Sequence, residues 1–440
     1  MINILLVLMY KLLLDALFFF FIRHEFSHEP YLSQYEDNPS FEKWLLTSVL
    51  CIVLWLFIQS LNSKVKRISN FYILVQFFVV VVPSLVLFGM QDRPYFHILL
   101  LCSSLCLLSA IVGLAPRIII PPPPRFLTLS LIVIGLVGCV YVYLRLIISG
   151  GIGRLNFDFY SVYEMREEYR DIILPGFGYL LPWVAYVANI AFLIYFFVRK
   201  NWYLMFFIIA LQVLLFGMTN FKTFLFVPFI SLFLIIARQY ISLARVMLLG
   251  MLIVPLIGIV VTAFGEPMGI SLVRRALFVP AGLHGLYFDY FSNMPSSAMS
   301  GTRFASFFSA PYDSTSIKIL AWVFWEREFN PNVGWVGDAY AQFNWIGVLI
   351  YTIIFGAMLM LADNLVASMQ LKRKEIEGLF IGPAIALCNS SLTVFMLTHG
   401  FLIMLIVLWI LNYFWGRRLV QPAECKRHPK LGNEKRLLTV

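Results

Sequence analysis

The chain reads as a succession of apolar stretches separated by short polar joints. A helix needs about 20 predominantly apolar residues to cross a hydrocarbon core. By that measure the stretches at 2–22, 44–61, 71–90, 96–114, 127–149, 176–198, 203–217, 223–237, 246–264, 345–362, 378–396 and 400–415 predict twelve spanning helices. The expectation is an all-α polytopic membrane protein, one integral domain over residues 1–440. Three connections are long enough to stand out. Residues 23–43 form an acidic loop, 150–175 a loop rich in Tyr, Arg and Glu, and 265–344 a far longer one between helices 9 and 10. Loops of that length in compact proteins are usually functional. The run APRIIIPPPPR at 115–125 predicts a stiff polyproline connector.

Composition sharpens this picture by exclusion. With 61% hydrophobic and 13% charged residues, the chain departs from the roughly 45–50% apolar and 25% charged content of soluble domains. Its 42 Phe and 17% aromatic content exclude a disordered chain. The first stretch is read as a retained helix and not a signal peptide. It lacks a basic start, carries Lys11 and Asp15 in its middle, and ends without a small-residue cleavage site.

The net charge of +10 acquires meaning only when it is placed along the chain. If the N-terminus is cytoplasmic and the spans alternate, the inner segments, including a tail at 416–440, hold 19 of the 33 basic residues. They hold only five of the 23 acidic ones. This bias predicts both termini on the cytoplasmic side. It accounts for the basic total without a nucleic-acid partner. Five of the six cysteines fall in spans and Cys425 in the tail, which predicts no disulfides.

Candidate chemistry concentrates on the opposite face. Arg274 and Arg275 open the stretch LVRRALFVPAGLHGLYFDYF, which predicts a helix at or dipping into the interface, and Arg303 follows in SGTRFASFF. Guanidinium groups bind phosphate oxygens bidentately and stay charged in any setting, so this trio suits a diphosphate on a lipid carrier. Lys222, in the tight turn GMTNFKTF, is a further phosphate candidate. Arg166 lies in the second loop, where arginines interleave with tyrosines and carboxylates in a pattern that suits a solvated amphipathic helix or sugar binding. The other ionisable groups on this face include His284, with its tunable proton affinity, Asp338, Asp289 and Glu328. A helix N-cap is the plainer reading of Asp338. No Walker, GxGxxG, CxxC or HExxH pattern occurs.

The elements GRLNFDFYSVYEMREEYRD, FGMTNFKTFLFVPFISLFL, RRALFVPAGLHGLYFDYF and NPNVGWVGDAYAQFNWIGVLIYTIIFG follow in this order over roughly residues 150–365. Together they resemble the O-antigen and oligosaccharide repeat-unit polymerases of the Wzy type. Gly334, Gly337, Asp338, Ala339, Tyr340 and Gly347 match the family's loop-to-helix junction. Asn344 departs from it, standing where a glycine is expected. The resemblance implies a metal-independent glycosyltransferase of the GT-C type in the bacterial inner membrane, without cofactor. It implies undecaprenyl-diphosphate-linked oligosaccharide as substrate, membrane lipid as surroundings and a chain-length regulator as candidate partner. The growing glycan leaves its lipid diphosphate for the non-reducing-end hydroxyl of a new unit on the periplasmic face. The family parallel gives Arg274, Arg275 and Arg303, with Lys222 or Arg166, to the diphosphate, and His284 or Asp338 to the base. Alternatives are a lipid-linked oligosaccharide flippase, an O-antigen ligase and a secondary transporter. A flippase would have short loops throughout, and a transporter inverted repeats, for which no matching spacing occurs.

Overall fold

The computed structural model describes residues 2–64, 67–157, 176–265, 268–369 and 373–415. Eleven of its helices are long and apolar enough to cross a membrane. They are α1 (Ile2–Glu25), α2 (Phe41–Leu61), α3 (Ser69–Met90), α4 (Tyr95–Leu114), α5 (Arg125–Ile148), α6 (Phe177–Val198), α7 (Trp202–Thr219), α8 (Lys222–Tyr240), α9 (Leu243–Ala263), α12 (Trp335–Ala367) and α14 (Leu392–Trp415). Between α9 and α12 lie α10 (268–293) and the short α11 (Ser316–Trp325), and between α12 and α14 lies α13 (373–387). No β-strand occurs among the described residues. This is the build of a multi-pass membrane protein.

The helices differ in how much of themselves they bury, and the sequence explains why. α3 is apolar on every side (YILVQFFVVVVPSLVLFG) and its central window is 94% buried, whereas α5 buries 17% of its own and turns Phe126, Val133, Ile134 and Val137 outward. A helix apolar all round belongs in a core or in lipid; here α3 takes the core and α5 the rim. Tyr72 of α3 is the hub. Its ring meets Phe355 of α12, Phe380 of α13 and Phe395 and Phe401 of α14 edge-on, at centroid distances of 5.6 to 6.2 Å. Such aromatic pairs add about 0.5–1.5 kcal/mol each beyond burial.

One end of the bundle is held by polar bonds. Asp363 of α12 accepts from the Ser69 amide (3.0 Å) and hydroxyl (2.7 Å). The polyproline connector is extended, as expected, and clamped on both sides. Asn364 and Ser368 accept from the amides of Ile118 and Ile120, while Trp409 and Asn412 donate to the carbonyls of Pro121 and Ile120. Arg238 of α8 donates to the fully buried Glu377 of α13. Asn3 of α1 contacts Arg245 at this same end, so the described chain starts and finishes here. We call it the basic end, and the other the loop end.

Two expectations are corrected. The span expected at 378–396 is not continuous. α13 stops at Leu387, and Cys388 lies beside Gln76, seven residues up α3 and hence about 10 Å from its start. α14 is itself broken around His399 and Gly400, where the backbone turns left-handed (φ +80° at Gly400). Eleven spans result instead of twelve because two helix breaks face each other inside the protein. Second, the span expected at 345–362 begins ten residues earlier and folds back on itself. Helical geometry fails at Phe343 and Asn344, and a Cβ on Gly347 would stand 2.1 Å from the Ala339 carbonyl oxygen. Trp335 therefore meets Phe355 (5.7 Å between centroids) although 20 residues separate them. Phe355 lies eleven residues past the bend, about 16 Å along the second limb. The first limb, 335–342, thus starts near mid-bundle and rises to the loop end.

The residue at the bend makes a prediction. Asn344 adopts φ 53° and ψ −147°, a region that glycine enters freely and other residues enter at a cost of about 1–3 kcal/mol. Asn344→Gly should raise stability by about 1 kcal/mol or more in detergent, read as a higher Tm; an unchanged or lower Tm would contradict the assigned backbone.

Candidate functional site

α10 carries the densest set of polar side chains at the loop end. It runs as Met268–Val273, a π turn over Arg274–Phe278, and Val279–Asn293. Its glycines let neighbours approach. A Cβ on Gly285 would stand 2.5 Å from Arg93 Nη1, and one on Gly334 of the descending chain would stand 3.0 Å from His284 Nε2. The spacing PAGLHGLY thus puts a guanidinium against one face of α10 and lays the intervening imidazole on the Gly334–Gly337 face of the re-entrant limb.

His284 is buried, at 2% exposure. Its Nδ1 lies 2.6 Å from the Pro280 carbonyl, which can only accept, so Nδ1 carries the proton and Nε2 the lone pair. Nε2 has no hydrogen-bond partner. Burial pushes this imidazole down to about 4, with the Pro280 bond pulling the other way. Asp338 is also buried and accepts from Gln342 Nε2 at 3.1 Å. It is not the N-cap: that place is Gly334, whose carbonyl accepts from the Asp338 amide. Beside it Tyr340 stacks on Phe288 (4.5 Å) and bonds Ser292 (2.9 Å), while Tyr287 donates to Pro331 and pins the descending chain.

Arg93, on the four-residue joint between α3 and α4, was not singled out by sequence. It is buried at 3% exposure. Nε and Nη2 donate to Gln91 Oε1 (3.2 and 2.7 Å), Nη2 also to the Tyr31 carbonyl (2.7 Å), and the guanidinium lies 3.8 Å over the Tyr35 ring. Nη1 has no partner. Half-buried Asp289 is its electrostatic neighbour; burial raises that carboxyl, while Tyr35 and Arg93 lower it. His97, two residues into α4 and stacked on Phe288 at 5.4 Å, is buried with neither ring nitrogen bonded. It lies close enough to Arg93 and His284 to interact electrostatically with both. The sequence disguised Arg93, because Asp92 beside it reads as its counter-ion, whereas Asp92 pairs with Lys43 at 2.8 Å.

The expected phosphate-binding residues are spread more widely. Arg274 donates to Glu29 (2.7 Å) and to the Tyr31 hydroxyl (3.1 Å) and stacks on Phe26, so the acidic first loop already engages it. Arg275 is exposed and also acts on Tyr31 electrostatically. Arg303 is exposed on the long loop, and Lys222 begins α8, partly buried. Arg166 lies outside the described residues. Asp289 joins the Arg93 cluster, and Glu328 sits on the chain leading to Gly334. No group of three or more His, Cys, Asp or Glu side chains placed to hold a metal occurs among the described residues.

Comparison with family models, curated proteins and solved structures returns no match to this chain. What the architecture defines is a class: a helical multi-pass membrane protein with a buried polar centre at its loop end.

The His284 environment has a pH signature. Its proton affinity is depressed in the fold, so the unfolded chain binds the proton more tightly. Stability from this group is fully present above its ordinary value of 6.5 and is lost as pH falls towards about 4. His284→Asn should therefore lose less Tm than the parent between pH 7 and pH 4.5 in detergent (about two pH units of titration). Parallel Tm curves for the two proteins would contradict the buried neutral imidazole.

Proposed function

We propose that the protein polymerises lipid-diphosphate-linked oligosaccharide units, as a metal-independent glycosyltransferase of the Wzy kind acting at the loop end. One observation carries the reading: the fold-back of α12 sets a carboxylate inside an apolar bundle against the helix that carries both an imidazole lone pair and the pair Arg274 and Arg275. Ionisable side chains at such depth are costly and mark functional sites. In the proposed reaction the acceptor hydroxyl of an incoming unit gives its proton to His284 Nε2, with Asp338 as the second candidate base. A diphosphate bound nearby favours the imidazolium and so strengthens that base. Arg275, with Arg274, Arg303, Lys222 and Arg166 as further cations, offsets the charge that grows on the departing diphosphate. No nucleotide sugar, cofactor or nucleic acid takes part.

In this reading the chain lies in the inner membrane, with the basic end cytoplasmic and the loop end periplasmic. The bias of Lys and Arg along the sequence supports that orientation. Cysteine placed at exposed Thr302 should react with an impermeant maleimide on intact spheroplasts; reaction only after the membrane is opened would invert the topology.

Deleting the gene should leave single repeat units on the surface glycan in place of a ladder of lengths. Wild type should restore the ladder, and Arg275→Ala should not. His284→Asn should lower polymer by about 10²–10⁴-fold, the usual contribution of a general base. A normal ladder in the deletion strain would rule the reading out, as would units trapped on the inner leaflet, the mark of a flippase.

A further inference from the structure

Large apolar side chains gathered on a surface mark what that surface meets. The loop between α10 and α11 gathers three: Phe304, Phe307 and Phe308 are 58%, 77% and 47% exposed, directly after the exposed Arg303. Ala305–Phe307 is a 3-10 turn, in which side chains three residues apart eclipse. Phe304 and Phe307 therefore share one side of the turn, and Ser306 lies off it.

These rings are held outward because the loop is tied at its base. The amides of Ser297 and Ala298 donate to the carbonyls of Ala341 and Gln342 (2.7 and 2.9 Å), and the Met299 amide donates to Gln342 Oε1 (2.8 Å). Ala298 and Met299 are both left-handed, at φ 45° and 62°, a backbone that persists in non-glycine residues only where the surroundings impose it. Tyr312 closes the other strand of the loop: its amide donates to Ser300 Oγ (3.2 Å) and its hydroxyl to the Pro295 carbonyl (2.8 Å). Residues 301–311 thus project from a closed base, with the phenyl rings at their tip.

The base docks at the end of a spanning helix. Gln342 ends the re-entrant limb, and Trp345 opens the second limb of α12, which crosses the bundle. Trp345, Leu349 and Ile353 are exposed at one-turn intervals along that limb, an apolar stripe whose neighbour in a membrane is hydrocarbon. Phe308 meets Phe343 at 5.1 Å between ring centroids, so the phenyl patch continues this stripe past the bend. Aromatic rings beside a guanidinium are the composition of a membrane interface, where rings sit among headgroups and a long cationic side chain reaches the phosphates. We propose that residues 304–308 are inserted in the bilayer leaflet at the loop end, with the rings of Phe304, Phe307 and Phe308 at the boundary of headgroups and acyl chains and Arg303 on a lipid phosphate. The leaflet thereby braces the limb that carries Asp338, since Gln342 also donates to that carboxylate (3.1 Å). Lipid would hold this loop whether or not the chain polymerises glycans.

The test places an NBD fluorophore on a single cysteine in the full chain, introduced as Phe307→Cys or, off the apolar side of the turn, as Ser306→Cys, with the native cysteines replaced by alanine. Each protein is assembled at one copy per nanodisc of phosphatidylethanolamine and phosphatidylglycerol, with and without a lipid spin-labelled high on its acyl chain. The apolar faces of interfacial segments lie about 5–10 Å into the headgroup and acyl boundary. The label at 307 should therefore emit at shorter wavelength than the label at 306 and lose more of its fluorescence to the spin-labelled lipid. A long-wavelength, unquenched signal at 307 means water and overturns the insertion. A short-wavelength signal that the lipid does not quench means that protein covers the ring, and overturns it equally. A second measurement keeps the native cysteines: p-benzoylphenylalanine in place of Phe307, irradiated in whole membranes, should crosslink to phospholipid more strongly than the same group in place of Ser306. Crosslinking from 307 to a second copy of the chain in place of phospholipid would make this patch a contact between copies and sink the proposal.

Discussion

In hydrocarbon, backbone polar groups have no water to bond, so irregular chain at membrane depth survives only where protein buries it. Everything particular to this molecule depends on meeting that constraint. The descending chain before Gly334, the bend at Phe343–Asn344, the end of α13 at Cys388 and the break at Gly400 are all non-helical. They are tolerated because α3, buried almost throughout, stands as a wall with Tyr72 reaching the helices on either side of them. The fully apolar third helix is thus what permits the polar re-entrant one.

The same economy governs the charges. Lys11 pairs with Asp15 one turn on and Asp15 takes the Trp44 indole as well; Arg238 is matched by Glu377; Asp363 is saturated by Ser69. At each of these charges a neighbouring group supplies a partner, although Asp15 Oδ1 has none. Arg93, His97 and His284 also carry buried atoms without a partner, as does Tyr35 under the Arg93 guanidinium. Buried polar groups left unmatched cost stability, a cost that a ligand would offset.

Much of the fold was legible from the length of apolar runs, since the membrane fixes that length. Eleven of the twelve expected spans fall on spanning helices. The failures came where two short apolar segments lie end to end: 378–396 reads as one span by hydropathy, but Cys388 and the polar residues after it break it. Hydropathy also cannot see that 335–342 rises to the loop end before 345–367 descends, because both limbs carry small and apolar residues suited to helix contact. Of the site, His284 and Asp338 were readable because they stand alone in apolar sequence. Arg93 and His97 were not, because their significance lies in partners some 190 residues away.

Tyr31 joins the two arginines nearest the site: its carbonyl takes Arg93 and its hydroxyl takes Arg274, while its ring fills the space left by Gly282. Both bonds and the packing contact join the first loop to chain made later, and the Ser69–Asp363 clasp at the other end joins residues 294 apart in sequence. Helices can enter the bilayer one by one as the ribosome supplies them. The polar centre cannot form until roughly three quarters of the chain has been translated. Until then Arg93 has Tyr31, Tyr35 and Gln91 beside it but lacks the cover of Gly285.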